Sequence, residues 1–159
     1  MRAPRIPEER LEDESPEAYV HRLAEEKAAA VGAGPGEVVL GADTVVVLDH
    51  HVLEKPADAA DARRMLALLS GREHQVITGV CLRNGSAKIT DRAVTRVRFA
   101  PLTDAEIDEY VATGEPLDKA GAYAIQGRAS KLVESIDGCF FNVMGLPIAL
   151  VYRHLKAFS

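Results

Sequence analysis

The stretch Val38 to Leu48, VVLGADTVVVL, decides how this chain is read. Its valines favour an extended backbone, so it predicts a strand from Val38 to Asp43 that Thr44 to Leu48 either extends or pairs with. One carboxylate, Asp43, sits near the middle. The flanking valines predict a buried setting, where a charged carboxylate is costly unless a cation, a metal or a raised pKa accompanies it. Each of those settings is also a catalytic one. The plainer alternative is a carboxylate that caps a turn at a strand end.

Upstream of this strand, Ser15-Pro16 reads as an N-cap followed by proline at the first helical position. The helix that follows runs through EAYVHRLAEEKAAAV and stops at Gly32. Val20, Leu23, Ala24, Lys27 and Val31 share one face of it. Lys27 therefore lies in the apolar stripe, either snorkelling at its margin or holding its ammonium toward a pocket suited to phosphate. Downstream, Pro56 biases Lys55 toward an extended backbone.

Asp58 caps a second predicted helix, with Met65, Leu66 and Leu69 on one face and Gly71 closing it. HQVITGVCLR, Asn84-Gly85 and AKITDRAVTRVRF then predict a hairpin. In its second arm Ala93, Thr95, Val97 and Phe99 face one way. Thr103 to Glu106 is a capping box, and the helix that it opens ends at Gly114. Asp118 to Gly127, DKAGAYAIQG, is rich in glycine and small residues; taken alone it reads as a surface loop. Gln126 within it offers both a donor and an acceptor for a base edge. KLVESI predicts a strand. LPIALVYRHLKAF predicts a closing helix that turns Ile148, Val151, Tyr152 and Leu155 inward. Strands and helices mix throughout, so the expected class is α/β, a mixed twisted sheet flanked by helices, in one domain over 1–159.

The 159 residues carry a formal net charge of -5, which argues against a nucleic-acid partner but not against a nucleotide substrate. No apolar run approaches the ~18 residues of a membrane span. The polar N-terminus has no signal-peptide core, so a cytoplasmic location is expected. Cys81 and Cys139 read as buried small residues, not as a disulfide or zinc pair. His50, His51 and His154 read as solvated surface. There is no Walker loop and no GxGxxG. Lysines for anionic oxygens, carboxylates for a cation and an amide for a polar ring predict a phosphate-ester site using a hard divalent metal such as Mg.

LAEEKA, VVLGADTVVVL, LEKP, LSGREHQVITGV, GEPLDKAGAYAIQG and NVMGLP occur here in the order and spacing of the Maf family of nucleoside triphosphate pyrophosphatases, and the chain resembles that family from about Ile6 to its last helix. The AYxIQG form is similar to the branch acting on dTTP and UTP. The resemblance implies a two-lobed fold with a central cleft. It implies hydrolysis of a nucleoside triphosphate to the monophosphate and pyrophosphate, with a divalent cation (Mg or Mn). It also implies roles: Asp43 as proton acceptor, Lys27 and Lys55 on the triphosphate, Thr44 and Gln126 in base preference, and Asp43 with Glu8 at the metal. A homodimer is left open.

The family pattern begins with a strand, a Ser-x-Ser-x-Arg-Arg loop and a helix, and MRAPRIPEER matches none of these. Three readings follow from that expectation. One is an active pyrophosphatase whose sequence is incomplete at this end. Another is a shortened nucleotide-binding protein, impaired in hydrolysis, with a regulatory role in septum formation or cell division. The third is a different phosphohydrolase or a purely structural module.

Overall fold

The computed structural model describes residues 6–85 and 87–158. Helix α1 spans Pro16–Ala29, with the Ser15 hydroxyl accepting the Ala18 amide, as the cap predicts. Strand β1, Val39–Leu48, is one continuous strand through Asp43 and Thr44. A turn at Asp49 and His50 leads to the short β2, His51–Leu53. Then come α2 (Ala59–Leu69, capped by Asp58), the hairpin β3 (Glu73–Asn84) and β4 (Ala87–Phe99), and α3 (Asp104–Ala112) with its full capping box. Strand β5 is Val133–Asp137, α4 is Phe140–Val143 and α5 is Ile148–Leu155.

The five strands form one sheet in the order β2-β1-β3-β4-β5. All four pairings are antiparallel, which refines the expected mixed sheet. Strand β1 is covered on both faces, and this explains its unbroken apolar run. Val45 and Val47 pack with Tyr19, Val20 and Leu23 of α1. Val46 and Leu48 point the other way, into the larger core with Leu66, Leu69 and Phe99. One edge of β1 is only partly covered: β2 pairs with Val46, Val47 and Leu48 and stops there. Among the described residues, Asp43 to Val45 therefore face an open sheet edge.

Four expectations change. Residues 115–132 are not a surface loop; they wind through short 3₁₀ turns, and Ala122, Tyr123, Ala124 and Ile125 are buried. Their small and apolar side chains fill the space beneath α2 and β1, so the core claims a segment whose composition reads as exposed. In α5 only Val151 of the expected inward set is buried, while Ile148, Tyr152 and Leu155 are exposed. The helix meets the sheet along the Leu150 and Val151 row, against Val80 and Leu82, and that contact sets its rotation. His154 is not simply solvated, because its Nε2 lies 2.7 Å from Asp91 Oδ2. Cys81 is buried but Cys139 is only half-buried.

The core also holds His74, 2% exposed, with Nε2 2.8 Å from the Tyr123 hydroxyl and its ring edge-on to Phe99 and Tyr123. Burial pulls its pKa from 6.5 down to about 4. The unfolded chain takes up this proton below pH 6.5, the folded chain only near pH 4. The contribution of neutral His74 is thus complete above pH 6.5 and is lost as pH falls toward 4. The expected loss is about 3 kcal/mol. Urea unfolding at pH about 7.5 and about 4.5 measures it. His74→Gln should flatten the dependence, whereas an unchanged slope in that variant would assign the acid sensitivity elsewhere.

Candidate active site

Helix α1 lies unusually close to the sheet. Gly41 of β1 and Gly79 of β3 leave room for the backbone of α1: a Cβ on Gly41 would overlap the Ala24 carbonyl oxygen and come 2.7 Å from the Ala28 nitrogen, and one on Gly79 would come 2.6 Å from the Val20 carbonyl carbon. Asp43 is paired with Gly79 in the ladder, so the carboxylate stands on the face that α1 covers. Small residues in the sheet, apolar residues on the helix and the helical spacing of Lys27 from Ala24 together bring an ammonium onto a carboxylate.

Lys27 Nζ lies 2.6 Å from Asp43 Oδ1 and 2.7 Å from Glu8 Oε1. Lys55 Nζ stands 3.7 Å from Glu8 Oε2. The Tyr19 hydroxyl donates to the Glu8 carbonyl at 2.9 Å and meets Glu54 Oε1 at 3.3 Å, tying the segment before α1 to the segment after β2. Of the three charged groups at the centre, Asp43 has 11% of its side chain exposed, Lys27 20% and Glu8 39%.

Burial pushes the Asp43 carboxyl above its ordinary range, and the hydrogen bond and charge of Lys27 pull it back without cancelling that effect. Burial draws Lys27 down, but its hydrogen bonds to Asp43 and Glu8 outweigh this and leave the ammonium more firmly protonated than usual. Glu8 is lowered, first by the Lys27 hydrogen bond, with burial opposing. The result is a protonated lysine between two carboxylates, one of them held with an elevated proton affinity.

These groups line a cleft of about 380 Å³ at the open edge of β1. Successive residues of a strand point to opposite faces, and the cleft reaches round the edge to both. Asp43 looks toward α1 and the lysines. Thr44 looks the other way, where its hydroxyl is 2.9 Å from that of Thr78 and 3.4 Å from the Gly145 carbonyl oxygen. Tyr123, Val143, Met144 and Gly145 wall that side, and Asp118 and Lys119 close the rim. The Gly121 amide donates to the Glu54 carbonyl at 3.1 Å and anchors that rim to the chain after β2.

The structure thus gathers Asp43, Lys27, Glu8, Lys55 and Thr44 at one cleft. Gln126 is not among its lining residues; it is exposed just past the buried run from Ala122 to Ile125. Sequence reasoning passed over Glu54, Tyr19, Thr78 and Tyr123. Glu54 had a signal, adjacency to Lys55 in LEKP. Tyr19 reads as core because it flanks the apolar stripe of α1.

Two carboxylates suit a hard divalent cation, which takes one or two protein oxygens and completes its shell from phosphates and water. Among the described residues no group of three or more His, Cys, Asp or Glu could hold a metal. A cation here would draw the rest of its ligands from substrate. No helix of the described residues is long and apolar enough to cross a membrane.

Comparison with known proteins identifies the family. The chain is 54% identical over 152 residues to a dTTP/UTP pyrophosphatase of Koribacter versatilis, an alignment covering 95% of this chain and 79% of that protein. It is 52% identical over 157 residues to a dTTP/UTP pyrophosphatase of Symbiobacterium thermophilum, covering 98% and 81%. A dTTP/UTP pyrophosphatase of Anaeromyxobacter sp. (strain Fw109-5) is 61% identical over 137 residues, covering 83% and 65%. The family model for Maf-like proteins matches residues 1–158, and the chain belongs to the Maf family.

Proposed function

We propose that this chain is a nucleoside triphosphate pyrophosphatase that hydrolyses dTTP and UTP to the monophosphate and pyrophosphate. The observation that carries this reading is the Lys27 ammonium bound between Asp43 and Glu8 at an open sheet edge, beside Lys55. Its relatives among dTTP/UTP pyrophosphatases support the choice of substrates.

Hydrolysis at the α-phosphorus requires a base for water and positive charge facing the departing pyrophosphate. Asp43 is the base. Burial raises its proton affinity, and Lys27 offsets part of that rise. Phosphate oxygens entering the cleft compete for that ammonium. As Lys27 turns to them, Asp43 loses the hydrogen bond that favours its charged form, and burial then makes it the stronger base. Lys27 and Lys55 meet the charge that develops on the leaving group. Asp43 and Glu8 would hold a divalent cation, Mg or Mn, which supplies charge neutralisation at the phosphate oxygens when bound. Thr44 faces the base-side half of the cleft.

The test is pyrophosphate release from dTTP, UTP and 7-methyl-GTP with Mg or Mn. Release from the first two, with little from the third, is expected. Equal turnover of all three would overturn the substrate assignment, and no turnover of any would overturn the reaction for this chain.

A further inference from the structure

Tyr19 is 2% exposed, and its ring packs with Val20, Leu23, Val45, Val47 and Ile77. Phenylalanine would fill that space as well, so packing does not account for the hydroxyl. The hydroxyl stands at the cleft wall, 2.9 Å from the Glu8 carbonyl oxygen and 3.3 Å from Glu54 Oε1. A carbonyl only accepts, so the shorter bond has one possible direction, from Tyr19 to Glu8. Burial, with the charges of Glu54, Asp43 and Glu8 around it, pushes the phenol well above its ordinary pKa. Tyr19 is therefore a donor throughout the neutral range.

Residues 6–11 form neither helix nor strand, so no ladder fixes the main chain at Glu8. Side chains of α1 do this instead. Tyr19 takes the Glu8 carbonyl, and Arg22 donates from Nη2 to the next carbonyl, that of Glu9, at 2.9 Å. Residues three apart on a helix are neighbours on its surface. The Arg22 guanidinium lies 5.5 Å from the centre of the Tyr19 ring, and Glu14 holds it in place through bonds of 2.7 and 2.8 Å. Two consecutive carbonyls are thus clasped to one helical turn. From that anchored backbone the Glu8 carboxylate reaches Lys27 at 2.7 Å and faces Lys55 at 3.7 Å.

We propose that Tyr19 is a positioning residue of this cleft: its hydroxyl fixes the main chain at Glu8 and so presents the Glu8 carboxylate, beside Asp43, to a divalent cation. This rests on the assignment of Glu8 and Asp43 to that cation. A carboxylate on an untethered segment must be ordered when it binds, which weakens binding. Tyr19 orders it beforehand. Groups that orient a metal ligand typically change metal affinity by about 10–100-fold without touching the ion.

The test measures equilibrium binding of α,β-methylene dUTP, with saturating Mn and with none, to the parent chain, Tyr19→Phe, Glu8→Gln and the double variant. The ratio of the two affinities is the gain due to the cation. That gain should fall about tenfold in Tyr19→Phe, and at least as far in Glu8→Gln. The double variant should lose no more than Glu8→Gln alone, because Tyr19 acts through Glu8. A parent-like gain in Tyr19→Phe, with a lowered gain in Glu8→Gln, overturns the inference and leaves the cation assignment standing. A parent-like gain in Glu8→Gln, or no gain in the parent, overturns both. Additive losses in the double variant overturn the inference as well, and so does a loss in Tyr19→Phe that is equal with and without Mn, the mark of a purely structural role. Because the readout is binding, a parent that binds the analogue but does not hydrolyse dTTP would sink the reaction and leave the role of Tyr19 standing.

Discussion

Asp43→Asn is expected to lower pyrophosphate release from dTTP by about 10³-fold, within the range of a lost general base, and to leave the chain folded. The two effects separate because the burial of the carboxylate offsets what its bond to Lys27 contributes. Its pKa is raised in the fold, so the folded state holds that proton more tightly than the unfolded chain does. Stability linked to Asp43 is therefore greatest at low pH and is lost as pH rises through the folded pKa. At neutral pH an amide does not carry that penalty, and Lys27 keeps Glu8 as a partner. The urea midpoint should hold or rise while turnover collapses, a trade expected of a group kept for activity. Activity within tenfold of the parent would remove Asp43 from the role of base.

Gly41→Ala is expected to damage fold and activity together. The added methyl group would overlap the Ala24 carbonyl, a backbone atom that cannot rotate away, so α1 must move off the sheet. Overpacking of this kind costs about 1–3 kcal/mol. Lys27 rides on the same helix. A shift of about 1 Å at a reacting group can lower turnover ~10²-fold, so activity should fall further than stability alone predicts. Gly32→Ala is the control, since a Cβ there meets nothing within 4 Å. Urea midpoints and pyrophosphate release measure both variants. A Gly41→Ala chain with the parent's activity would show that the close approach of α1 is not needed to place Lys27.

Much of the fold was legible along the chain because its signals are local. The Ser15, Asp58 and Thr103 caps start their helices where their side chains meet amides three residues on. The hairpin between β3 and β4 forms one residue later than Asn84-Gly85 predicts: Asn84 ends β3 paired with Ala87, and Gly85 takes the positive φ of the turn. Residues 118–127 and helix α5 misled for one reason. Which side of a segment is buried depends on what lies opposite it. Ala122 to Ile125 meet the main core, and α5 meets β3 along a single row.

For the site, the sequence by itself supplied the candidate groups. A carboxylate in an apolar strand and a lysine in an apolar helical stripe are each costly to bury without a partner. Tertiary structure decided how that chemistry is arranged. Strand pairing set Asp43 across from Gly79 and Thr44 across from Thr78. The two glycines admitted α1 and brought Lys27 to Asp43. The short β2 left the edge of β1 open, so neighbouring residues on opposite faces serve one cleft. The Thr44–Thr78 pair spans 34 residues of chain, and the Thr78–Asn142 contact spans 64. No periodicity or spacing along a sequence encodes contacts at that range. They exist only once the sheet and the α4 turn have packed together.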